Sequence, residues 1–434
     1  MAARVFIVDG ARTPFLKARN EPGPFSAAEL ALIAGRALMS GQAVQASDLD
    51  EVILGCVIAA PDEANIARIV GLRLGTGVAV PAFTVQRNCA SGLQALASAF
   101  DHIQAGRAHL VLAGGTEAMS RAPIQWNRTM SAWLAQLLRA KSPAARLRAL
   151  ARLRPAHLRP VFSLLLGLSD PVVGLSMGQT AEIVAARFGI DRAAQDAYAL
   201  ESHQRVLRAQ EQGAFDGEIE TAYEPGGRYH ARDDGVRADS DLAQLARLKP
   251  AFERPFGSVT SGNSSQITDG AALLLLASAE AVARHDLPVI GEILDYDWAG
   301  VDPAQMGLGP VHATARLLAR RGLAMTDITH VELNEAFAGQ VLACQAAFAS
   351  ADYARDELGL DEAPGAIEPA RLNPDGGAIA LGHPVGATGA RLVLHLAKAL
   401  KRRGGGLGLA TLCIGGGQGG AMLVRSVDSA RGTS

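Results

Sequence analysis

The 434-residue sequence has few aromatic residues, few cysteines and no long hydrophobic run that is free of glycine. Aromatic residues make up 5%, charged residues 19% and hydrophobic residues 49% of the chain. This composition excludes a disordered, collagen-like or disulfide-scaffold protein and allows a large core. The longest uncharged run, 404–424, has 21 residues, of which nine are glycine. It therefore predicts a strand, a turn and a second strand rather than a membrane helix.

Cysteine is scarce, and its spacing gives no indication of a metal site. The four cysteines form no Cys-x-x-Cys pair and the ten histidines do not cluster, so we expect neither a structural zinc site nor a disulfide framework. The N-terminus lacks a basic flank followed by an apolar stretch of signal-peptide length, which makes a cytoplasmic location the expectation. A net charge of −2 does not indicate nucleic acid as a partner.

Apolar residues in the first 120 positions alternate between the period of a strand and that of a helix. Strands are predicted at 4–9, 50–57, 82–86 and 108–113, and helices at 26–39 and 89–104. Ser26, with Glu29 three residues later, is typical of a capping box at a helix N-terminus. We expect the last of these strands to end at Gly114 and Gly115. The alternation predicts an α/β fold built from parallel βαβ units.

The second half of the chain repeats this order, which predicts a duplication. Residues 328–337 are similar to 49–58, residues 386–400 to the helix that starts at Cys89, and residues 407–412 to the strand before Gly114. Residues 121–250 interrupt the pattern. We therefore predict a first half formed by 1–120 and 251–285, a second half formed by 286–434, and an inserted lid domain at 121–250.

Three motifs place reactive side chains among small residues. Cys89 lies in Asn-Cys-Ala-Ser-Gly before a predicted helix, whose N-terminus favours the thiolate. His383 stands between Gly382 and Pro384, a poor position for core packing and a good one for a base that a ligand approaches closely. Cys413 ends a predicted buried strand. Core packing would explain either cysteine taken alone, and a position in a turn would explain the histidine. Together, however, the three residues indicate cysteine-nucleophile chemistry with a second acid/base.

Glycine is concentrated around two of these residues. The chain has 47 glycines, of which 14 fall within 376–420, whereas average usage predicts about three there. We interpret the excess as side chains omitted around His383 and Cys413, so that a substrate can approach backbone N–H groups.

Together the motifs resemble the thiolase family over essentially the whole chain. The resemblance is carried by residues 88–92, 114–120, 177–182, 259–270, 334–337, 373–389 and 413–419. Residues 242–252 and 308–314, with the long segment after Arg121, are most similar to the thiolase (beta) subunit of fatty-acid oxidation trifunctional complexes, although Asn334 stands where that subgroup tends to have histidine. The resemblance implies a thiolase fold, in which duplicated βαβαβαββ halves pack in five αβαβα layers.

The resemblance also implies catalytic roles. Cys89 would be the nucleophile, His383 the base that deprotonates it, and Cys413 the second acid/base. His383 and a water held by Asn334 would form one oxyanion hole, and the backbone N–H groups of Cys89 and Gly415 the other. The ordinary alternative for Asn334 is the cap of the helix that follows its strand.

Further residues would bind coenzyme A (CoA) by their positions in the family motifs. These are Ser265, Arg237, Met177 and Phe337. The ordinary alternatives are a turn residue for Ser265, a solvated charge for Arg237, and core packing for Met177 and Phe337. Cys56 and Cys344 lie in apolar surroundings, and we expect them to pack in the core.

The implied reaction is reversible cleavage of 3-oxoacyl-CoA by CoA through an acyl-Cys89 intermediate, as in fatty-acid β-oxidation. It needs CoA and acyl-CoA as substrates but no permanently bound cofactor. The alternatives are an acetoacetyl-CoA-forming biosynthetic thiolase, a condensing enzyme of the ketoacyl synthase type and a non-catalytic lipid carrier. A synthase is disfavoured because those enzymes generally use histidine where this chain has Cys413. A carrier is disfavoured because Cys89, His383 and Cys413 are all present. The family implies a homodimer or tetramer.

Acidic residues are absent from 118–169, where nine Lys or Arg alternate with Trp126, Trp133 and several leucines. We call residues 121–169 the basic segment; its pattern predicts an amphipathic surface-binding element. Three partners are consistent with it: an anionic membrane surface, which would make the protein peripheral to a membrane, a hydratase/dehydrogenase subunit, as the subgroup implies, or the polyanionic CoA. A solvated lid is the ordinary alternative.

Overall fold

The computed structural model describes residues 3–427, in which strands and helices alternate. The first part contains β1 (Val5–Arg12), β2 (Leu16–Lys17), α1 (Ala27–Ser40), β3 (Glu51–Gly55), α2 (Ile66–Leu74), β4 (Ala82–Val85), α3 (Ser91–Gln104) and β5 (Leu110–Ala118). The middle part contains β6 (Ile124–Trp126), α4 (Arg128–Arg139), α5 (Pro143–Leu150), β7 (Pro160–Phe162), α6 (Ser163–Gly167), α7 (Met177–Arg187), α8 (Arg192–Glu211), β8 (Ala222–Tyr223), β9 (Tyr229–His230) and α9 (Leu242–Ala246). The last part contains β10 (Thr268–Ser278), α10 (Ala279–His285), β11 (Gly291–Gly300), α11 (Gly309–Arg321), β12 (Ile328–Leu333), α12 (Ala338–Ala349), α13 (Ala351–Tyr353), α14 (Ala378–Leu381), α15 (Val385–Arg402), β13 (Leu407–Ile414) and β14 (Gln418–Arg425).

Local sequence signals explain where α1 begins. The Ser26 side chain accepts a hydrogen bond from the Glu29 N–H, and the Glu29 carboxylate accepts one from the Ser26 N–H at 2.7 Å. The predicted capping box is therefore present, and it satisfies two of the free N–H groups at this helix end.

The end of β5 differs from the prediction. Gly114 and Gly115 do not end this strand, because its ladder with β10 continues as far as the pair Ala118 and Asp269. A Cβ at Gly114 would lie 2.2 Å from the carbonyl oxygen of Ala272. Glycine is thus required here by close packing between neighbouring strands, not by a turn.

Ten strands form one sheet in the order β12-β13-β14-β11-β1-β10-β5-β3-β4, with β2 paired to β10. The ladders of β3 with β4 and β5, and of β12 with β13, are parallel. The ladders that join β5, β10, β1, β11, β14 and β13 are antiparallel. The expectation of parallel units is therefore correct only toward the two ends of the sheet. In the second half a tight turn joins β13 directly to β14, and such a hairpin requires antiparallel pairing.

The predicted duplication is present in the strand order. Read from the centre, the first half runs β1-β10-β5-β3-β4 and the second runs β11-β14-β13-β12. Leu372 forms a parallel bridge to Val331 of β12, at the place that β4 takes in the first half. The halves are joined by antiparallel pairing of β1 with β11, in which Val5 lies opposite Ile293.

The helices cover the sheet in three layers, because each face of the sheet is apolar. One core packs α1 and α2 against the outer face of the first half. A second core packs α11 and α12 against the outer face of the second half. The third core contains α3 and α15 between the two halves, and α15 is buried along most of its length. This is the predicted five-layer αβαβα arrangement.

The two halves differ in the connection between their last two strands. Residues 119–267 link β5 to β10, whereas residues 415–417 link β13 to β14. On this basis we propose the boundaries predicted above for the two halves and the insertion; residues 1–2 and 428–434 of those ranges lie outside the described part. Within residues 3–427, no helix is long and apolar enough to cross a membrane.

Candidate active site

Cys89 lies on the short loop between β4 and α3, beyond the carboxyl end of a parallel strand. Asn88 has a left-handed backbone with φ of 43°, and its Nδ2 donates a hydrogen bond to the carbonyl oxygen of Gly415 at 2.7 Å. The Ser91 hydroxyl accepts from the Arg87 N–H at 2.9 Å and donates to the Asn88 carbonyl at 2.7 Å. These bonds fix the loop, and with it the sulfur of Cys89.

Burial raises the pKa of the Cys89 thiol, although hydrogen bonds from the backbone N–H groups of Gly415 and Cys89 oppose the shift. The thiol is therefore the stable form at neutral pH. Backbone N–H groups thus favour the thiolate, as expected, but desolvation of the sulfur outweighs them. A base must remove the proton before Cys89 can act as a nucleophile.

His383 lies on the turn between α14 and α15. Its Nδ1 is 2.7 Å from the Thr388 hydroxyl oxygen, and that hydroxyl donates to the Pro384 carbonyl at 3.0 Å. Since the hydroxyl has a single hydrogen, His383 Nδ1–H must be the donor in the first bond, which leaves the lone pair on Nε2. Burial lowers the pKa of His383 to about 3, with a smaller effect from Arg391. The imidazole is therefore neutral and can accept a proton at Nε2.

Asn334 follows β12 and contacts the same imidazole. Its Nδ2 lies 3.4 Å from His383 Nε2, and its backbone N–H donates to the Thr411 carbonyl at 2.9 Å. The buried Oδ1 has no hydrogen-bond partner among residues 3–427. Phe337, not Asn334, is the N-cap residue of α12, so the helix-cap alternative is wrong. The amide remains available to a group bound beside His383.

Cys413 lies near the end of β13 and is buried. Burial raises its pKa well above the ordinary value for a thiol, and the neighbouring Cys89 adds to the shift. Cys413 is therefore protonated at neutral pH and able to donate a proton.

These groups meet in one cavity of about 400 Å³, which we call the first cavity. Cys89, His383 and Cys413 all line it. The four residues predicted to contact CoA, Ser265, Arg237, Met177 and Phe337, line it as well. Asn334 does not line this cavity but contacts His383, which does. Gly415 lines a neighbouring cavity, which Cys89 also lines. The structure thus brings all nine predicted residues to one region.

That neighbouring space, the second cavity, has a volume of about 410 Å³. It shares five lining residues with the first: Cys89, Met119, Leu168, Met177 and Val385. Its other walls are formed by the loop after β3, the turn after β13 and residues 164–172 of the insertion. Two cavities therefore meet at Cys89.

Two family models match the chain, the N-terminal domain of thiolase over residues 5–280 and the C-terminal domain of thiolase over residues 287–426. The chain belongs to the thiolase family. The 3-ketoacyl-CoA thiolase of Yersinia pestis (strain Pestoides F) is 40% identical over 423 residues, which cover 97% of this chain and 96% of that protein.

Solved thiolase-family structures have the same fold. The acetyl-CoA acetyltransferase of Bacillus anthracis is 35% identical, with a TM-score of 0.84 and coverage of 98% of this chain and 99% of the other. Human mitochondrial 3-ketoacyl-CoA thiolase in complex with CoA is also 35% identical, with a TM-score of 0.84 and coverage of 98% of both chains. The predicted family and fold are confirmed, whereas the resemblance to one subgroup stays a prediction.

Sequence reasoning missed Lys17, which lies with Arg237 on the first cavity of this thiolase-family chain. Burial and the positive charge of Arg237 lower the pKa of Lys17, so the two cations lie close enough to interact. Like charges held together favour an anion near them. No sequence signal marks Lys17, because its partner is 220 positions away and meets it only through the fold.

Glu117 was also missed, although it lies in one of the family motifs. Its buried carboxylate accepts hydrogen bonds from the N–H groups of Val57 at 2.9 Å, Ile58 at 3.0 Å and Gly386 at 3.1 Å. Burial raises its pKa to about 7 against the effect of these bonds. Glu117 therefore ties the wall of the second cavity to the first turn of α15, next to His383. A lone charged residue within a run of small residues is the signal that could have indicated this role.

The interpretation of the glycine-rich stretch is mostly wrong. A Cβ at Gly386 would lie 2.4 Å from the Thr116 carbonyl, one at Gly419 would lie 1.9 Å from the Gly309 carbonyl, and one at Gly408 would lie 2.6 Å from the Leu396 side chain. These glycines let helices and strands approach each other. Of the glycines in this stretch, only Gly415 and Gly416 line the second cavity.

The remaining two cysteines are buried as expected, but Cys56 is not in wholly apolar surroundings, since its thiol donates to the Glu117 carboxylate at 3.5 Å. Cys56 and Cys344 are both buried, and the Cys344 thiol donates to the Gly307 carbonyl at 3.1 Å. Among residues 3–427, no three His, Cys, Asp or Glu side chains form a group suited to a metal ion.

Proposed function

We propose that the protein catalyses thiolytic cleavage of 3-oxoacyl-CoA to acetyl-CoA and an acyl-CoA two carbons shorter, as in fatty-acid β-oxidation. The observation that carries this proposal is the convergence of two protonated thiols and a neutral imidazole on one cavity with two cations. Thiolysis requires a nucleophile, a base and a separate acid, and this cavity holds each of them.

In the first half-reaction His383 Nε2 takes the proton of Cys89, and the sulfur attacks the 3-keto carbon. The C2–C3 bond breaks, an acyl-Cys89 thioester remains, and C2 takes a proton from Cys413 to give acetyl-CoA. The proton held by His383 then restores the thiol of Cys413. Each group is in the protonation state that this step requires before substrate binds.

In the second half-reaction His383 takes the proton of the CoA thiol, and the CoA sulfur attacks the acyl-Cys89 carbonyl. Cys89 leaves and recovers a proton from His383, so the enzyme returns to its starting state. Both half-reactions develop negative charge on a thioester oxygen. One oxyanion hole would use the N–H groups of Cys89 and Gly415, which already hydrogen-bond the Cys89 sulfur. The other would use protonated His383 Nε2 together with Asn334.

Lys17 and Arg237 would bind the phosphates of CoA, while Met177, Phe337 and Ser265 line the path of its pantetheine arm. Both reactants are CoA thioesters, and thiols and an imidazole carry the chemistry. We therefore propose that the protein has no permanently bound cofactor.

Acyl-enzyme trapping tests this function. The protein is incubated with 3-oxoacyl-CoA without free CoA, and peptide mass spectrometry should locate one acyl group on Cys89. Cys344→Ala is a matched control, because this buried thiol lines neither cavity and its loss should leave acylation intact. Acylation of a Cys89→Ala variant, or none in the wild type, would contradict the proposed mechanism.

A second candidate function is the biosynthetic formation of acetoacetyl-CoA. It is favoured by the equal structural similarity of the Bacillus anthracis acetyl-CoA acetyltransferase. The same residues would run the reaction backward, with Cys413 removing a proton from acetyl-CoA. Rates of thiolysis and condensation with purified protein distinguish the two uses.

We also propose that the basic segment docks on an anionic membrane surface. All nine of its Lys and Arg side chains are exposed, and Leu138, Leu147 and Leu150 are exposed beside them. Within the basic segment, the Trp133 Nε1–H donates to the Ala149 carbonyl at 2.8 Å, and this bond joins α4 to α5. Exposed leucines among cations fit a lipid surface better than solvent.

Co-sedimentation with anionic and with neutral liposomes tests the docking. Changing Arg146, Arg148, Arg152, Arg154 and Arg159 to Gln should abolish binding to anionic vesicles. A charge-matched control changes five exposed cations elsewhere, namely Arg36, Arg73, Arg107, Arg321 and Lys401, and should retain it. Failure of the wild type to bind would favour a protein partner instead, such as a hydratase/dehydrogenase subunit.

A cytoplasmic homodimer or tetramer, peripheral to the membrane, is the assembly we propose.

A further inference from the structure

Three consecutive glycines form the turn between β13 and β14, beside the nucleophile. Gly416 and Gly417 have left-handed backbones, with φ of 89° and 75°. The N–H group of the first of the three, Gly415, hydrogen-bonds the sulfur of Cys89. A run of glycines has no side chains that restrict its conformation. Other parts of the molecule must therefore hold this turn if the Gly415 N–H is to stay in place.

The position of this N–H group matters because it belongs to a pair. The proposed oxyanion hole takes one N–H from Cys89, in the first half of the fold, and one from Gly415, in the second half. Both groups hydrogen-bond the Cys89 sulfur, so they lie within reach of the carbonyl oxygen of an acyl group attached to that sulfur. Donors of this kind must be held to within about 0.5 Å of their productive position. The two halves must therefore be locked together at this point.

Asn88 forms a link between these two donors. Its Nδ2 donates to the carbonyl oxygen of Gly415 at 2.7 Å. No other side chain of residues 3–427 hydrogen-bonds that oxygen. The peptide group that follows Asn88 carries the N–H of Cys89, and Asn88 has a left-handed backbone with φ of 43°, a region in which asparagine is enriched. One residue thus contacts both sides of the proposed oxyanion hole, through its backbone and through its side chain.

Arg87 holds the other end of the glycine turn. Its Nη1 donates to Oε1 of Gln418 at 3.1 Å, and its Nε donates to Oε1 of Gln94 in α3 at 2.7 Å. The guanidinium carbon also lies 4.2 Å from the centroid of the Trp298 ring in β11, a contact that stabilises its position. The two residues before Cys89 therefore hold the turn at its first residue and at the residue that follows it.

We propose that Asn88 is a positioning residue, which sets the spacing of the two oxyanion donors through the Gly415 carbonyl while Arg87 supports the turn from its other end. This inference rests on the proposed function and adds to it the residue that preorganises one oxyanion hole. Asn88 does not line the first cavity, where CoA would bind. Loss of its side chain should therefore lower kcat and leave the dissociation constant of CoA unchanged.

Two variants of Asn88 test the role of its side chain, with the 3-oxoacyl-CoA on which the wild type is most active. Glycine adopts the left-handed backbone without strain but lacks the donor, so kcat for Asn88→Gly should fall by about 10-fold. Asn88→Asp keeps the shape but places a carboxylate oxygen against the Gly415 carbonyl. Because the two oxygens repel each other, kcat should fall by about 10²-fold, as for the loss of one oxyanion donor.

The matched control is Asp286→Gly. Asp286 also has a left-handed backbone, with φ of 48°, and it lines neither cavity. This variant makes the same change of backbone freedom as Asn88→Gly but removes no contact with the turn. It should retain the kcat of the wild type.

Deuterium exchange distinguishes positioning of these donors from general support of the site. In deuterated water His383 takes the proton of Cys413, and the Cys413 thiolate then exchanges the C2 hydrogens of acetyl-CoA. The enolate formed in this step is not attached to the Cys89 sulfur, so its oxygen uses the other oxyanion hole, formed by His383 and Asn334. Both Asn88 variants should therefore exchange these hydrogens at the wild-type rate, although they cleave 3-oxoacyl-CoA slowly.

The outcomes separate this inference from the function on which it rests. Equal kcat for Asn88→Gly and the wild type would overturn the inference. Equal losses of cleavage and of deuterium exchange would also overturn it, because Asn88 would then support the whole site rather than one pair of donors. If the wild type cleaves no 3-oxoacyl-CoA at all, the proposed function fails and the inference fails with it.

Discussion

Cys89 and His383 occupy equivalent positions in the two halves of the fold. Cys89 precedes α3 and His383 precedes α15, the two helices that form the central layer. The helices approach closely at these ends, since a Cβ at Gly92 would lie 2.8 Å from the carbonyl oxygen of Gly386. The duplication therefore brings the thiol of one half and the imidazole of the other to one cavity.

This close approach predicts the effect of adding one methyl group at Gly386. A Cβ there would lie 2.4 Å from the Thr116 carbonyl and 2.7 Å from a carboxylate oxygen of Glu117. Gly386→Ala should displace the first turn of α15 and lower the free energy of unfolding by about 1–3 kcal/mol. Because His383 moves with that turn, kcat/KM for thiolysis should fall by about 10²-fold.

Urea unfolding and thiolysis assays measure both effects. Gly300→Ala is the control, because a Cβ at that glycine meets nothing within 4 Å. Wild-type turnover in Gly386→Ala would show that the approach of the two helices does not position the base.

The meeting of the three reactive side chains could be predicted from the sequence, because each of them lies in a short motif whose residue types indicate its chemistry. Cys89, His383 and Cys413 stand out as isolated reactive groups among small residues, and they meet in the first cavity. Two periodic halves also reveal the duplication. Both results depend only on residues that are near one another in the chain.

What could not be predicted depends on contacts between distant residues. Glu117 binds N–H groups 59, 60 and 269 positions away, and neither these contacts nor the pairing of Lys17 with Arg237 follows from local pattern. The same limit explains the error about the glycines, since the backbone that packs against Gly386 belongs to β5. The second cavity is formed by three segments that are far apart in the chain, and no single motif predicts that they come together.

Thr388 holds the imidazole of His383 in the tautomer that can accept a proton. Thr388→Val removes the acceptor of the Nδ1–H and leaves a buried donor unpaired, so the tautomer with the hydrogen on Nε2 becomes favourable. That tautomer cannot take the proton of Cys89. We expect kcat to fall by about 10²-fold, the lower end of the usual contribution of a general base.

Thr388→Ser distinguishes this positioning role from a structural one. Serine keeps the hydroxyl and should restore most of kcat, whereas valine preserves the shape better. If the valine variant were as active as the serine variant, the hydroxyl would have no part in setting the tautomer.

Asn334→Ala should separate turnover from stability. The buried Oδ1 has no partner among the described residues and Nδ2 makes only a long contact of 3.4 Å with His383, so little stability should be lost. If the amide stabilises an oxyanion, kcat should fall by about 10²–10³-fold. The contrasting variant is Asn65→Ala, which removes the side-chain cap of α2 and should cost about 1 kcal/mol without lowering kcat. Steady-state kinetics and urea unfolding of both variants provide the test, and full turnover by Asn334→Ala would remove this residue from the site.

A buried charge network on α15 predicts a loss of stability at alkaline pH. His395 lies between two carboxylates, with Nδ1 2.8 Å from Glu218 and Nε2 3.2 Å from Asp375. Burial alone would lower the pKa of His395, but the carboxylates overcome this effect and raise the pKa to about 9. The folded state therefore holds a proton that the unfolded chain releases near pH 6.5. The resulting stabilisation is complete below pH 6.5 and is lost as the pH rises through 9.

The free energy of unfolding should thus fall by about 3 kcal/mol between pH 6.5 and pH 9. His395→Gln should be less stable at pH 6.5, because it leaves Glu218 and Asp375 without this partner, and should lose much less stability across the same range. His285→Gln, at the end of α10, should keep the wild-type slope. Urea unfolding at several pH values measures these differences, and equal slopes for the wild type and His395→Gln would show that the protonated imidazole does not stabilise the fold.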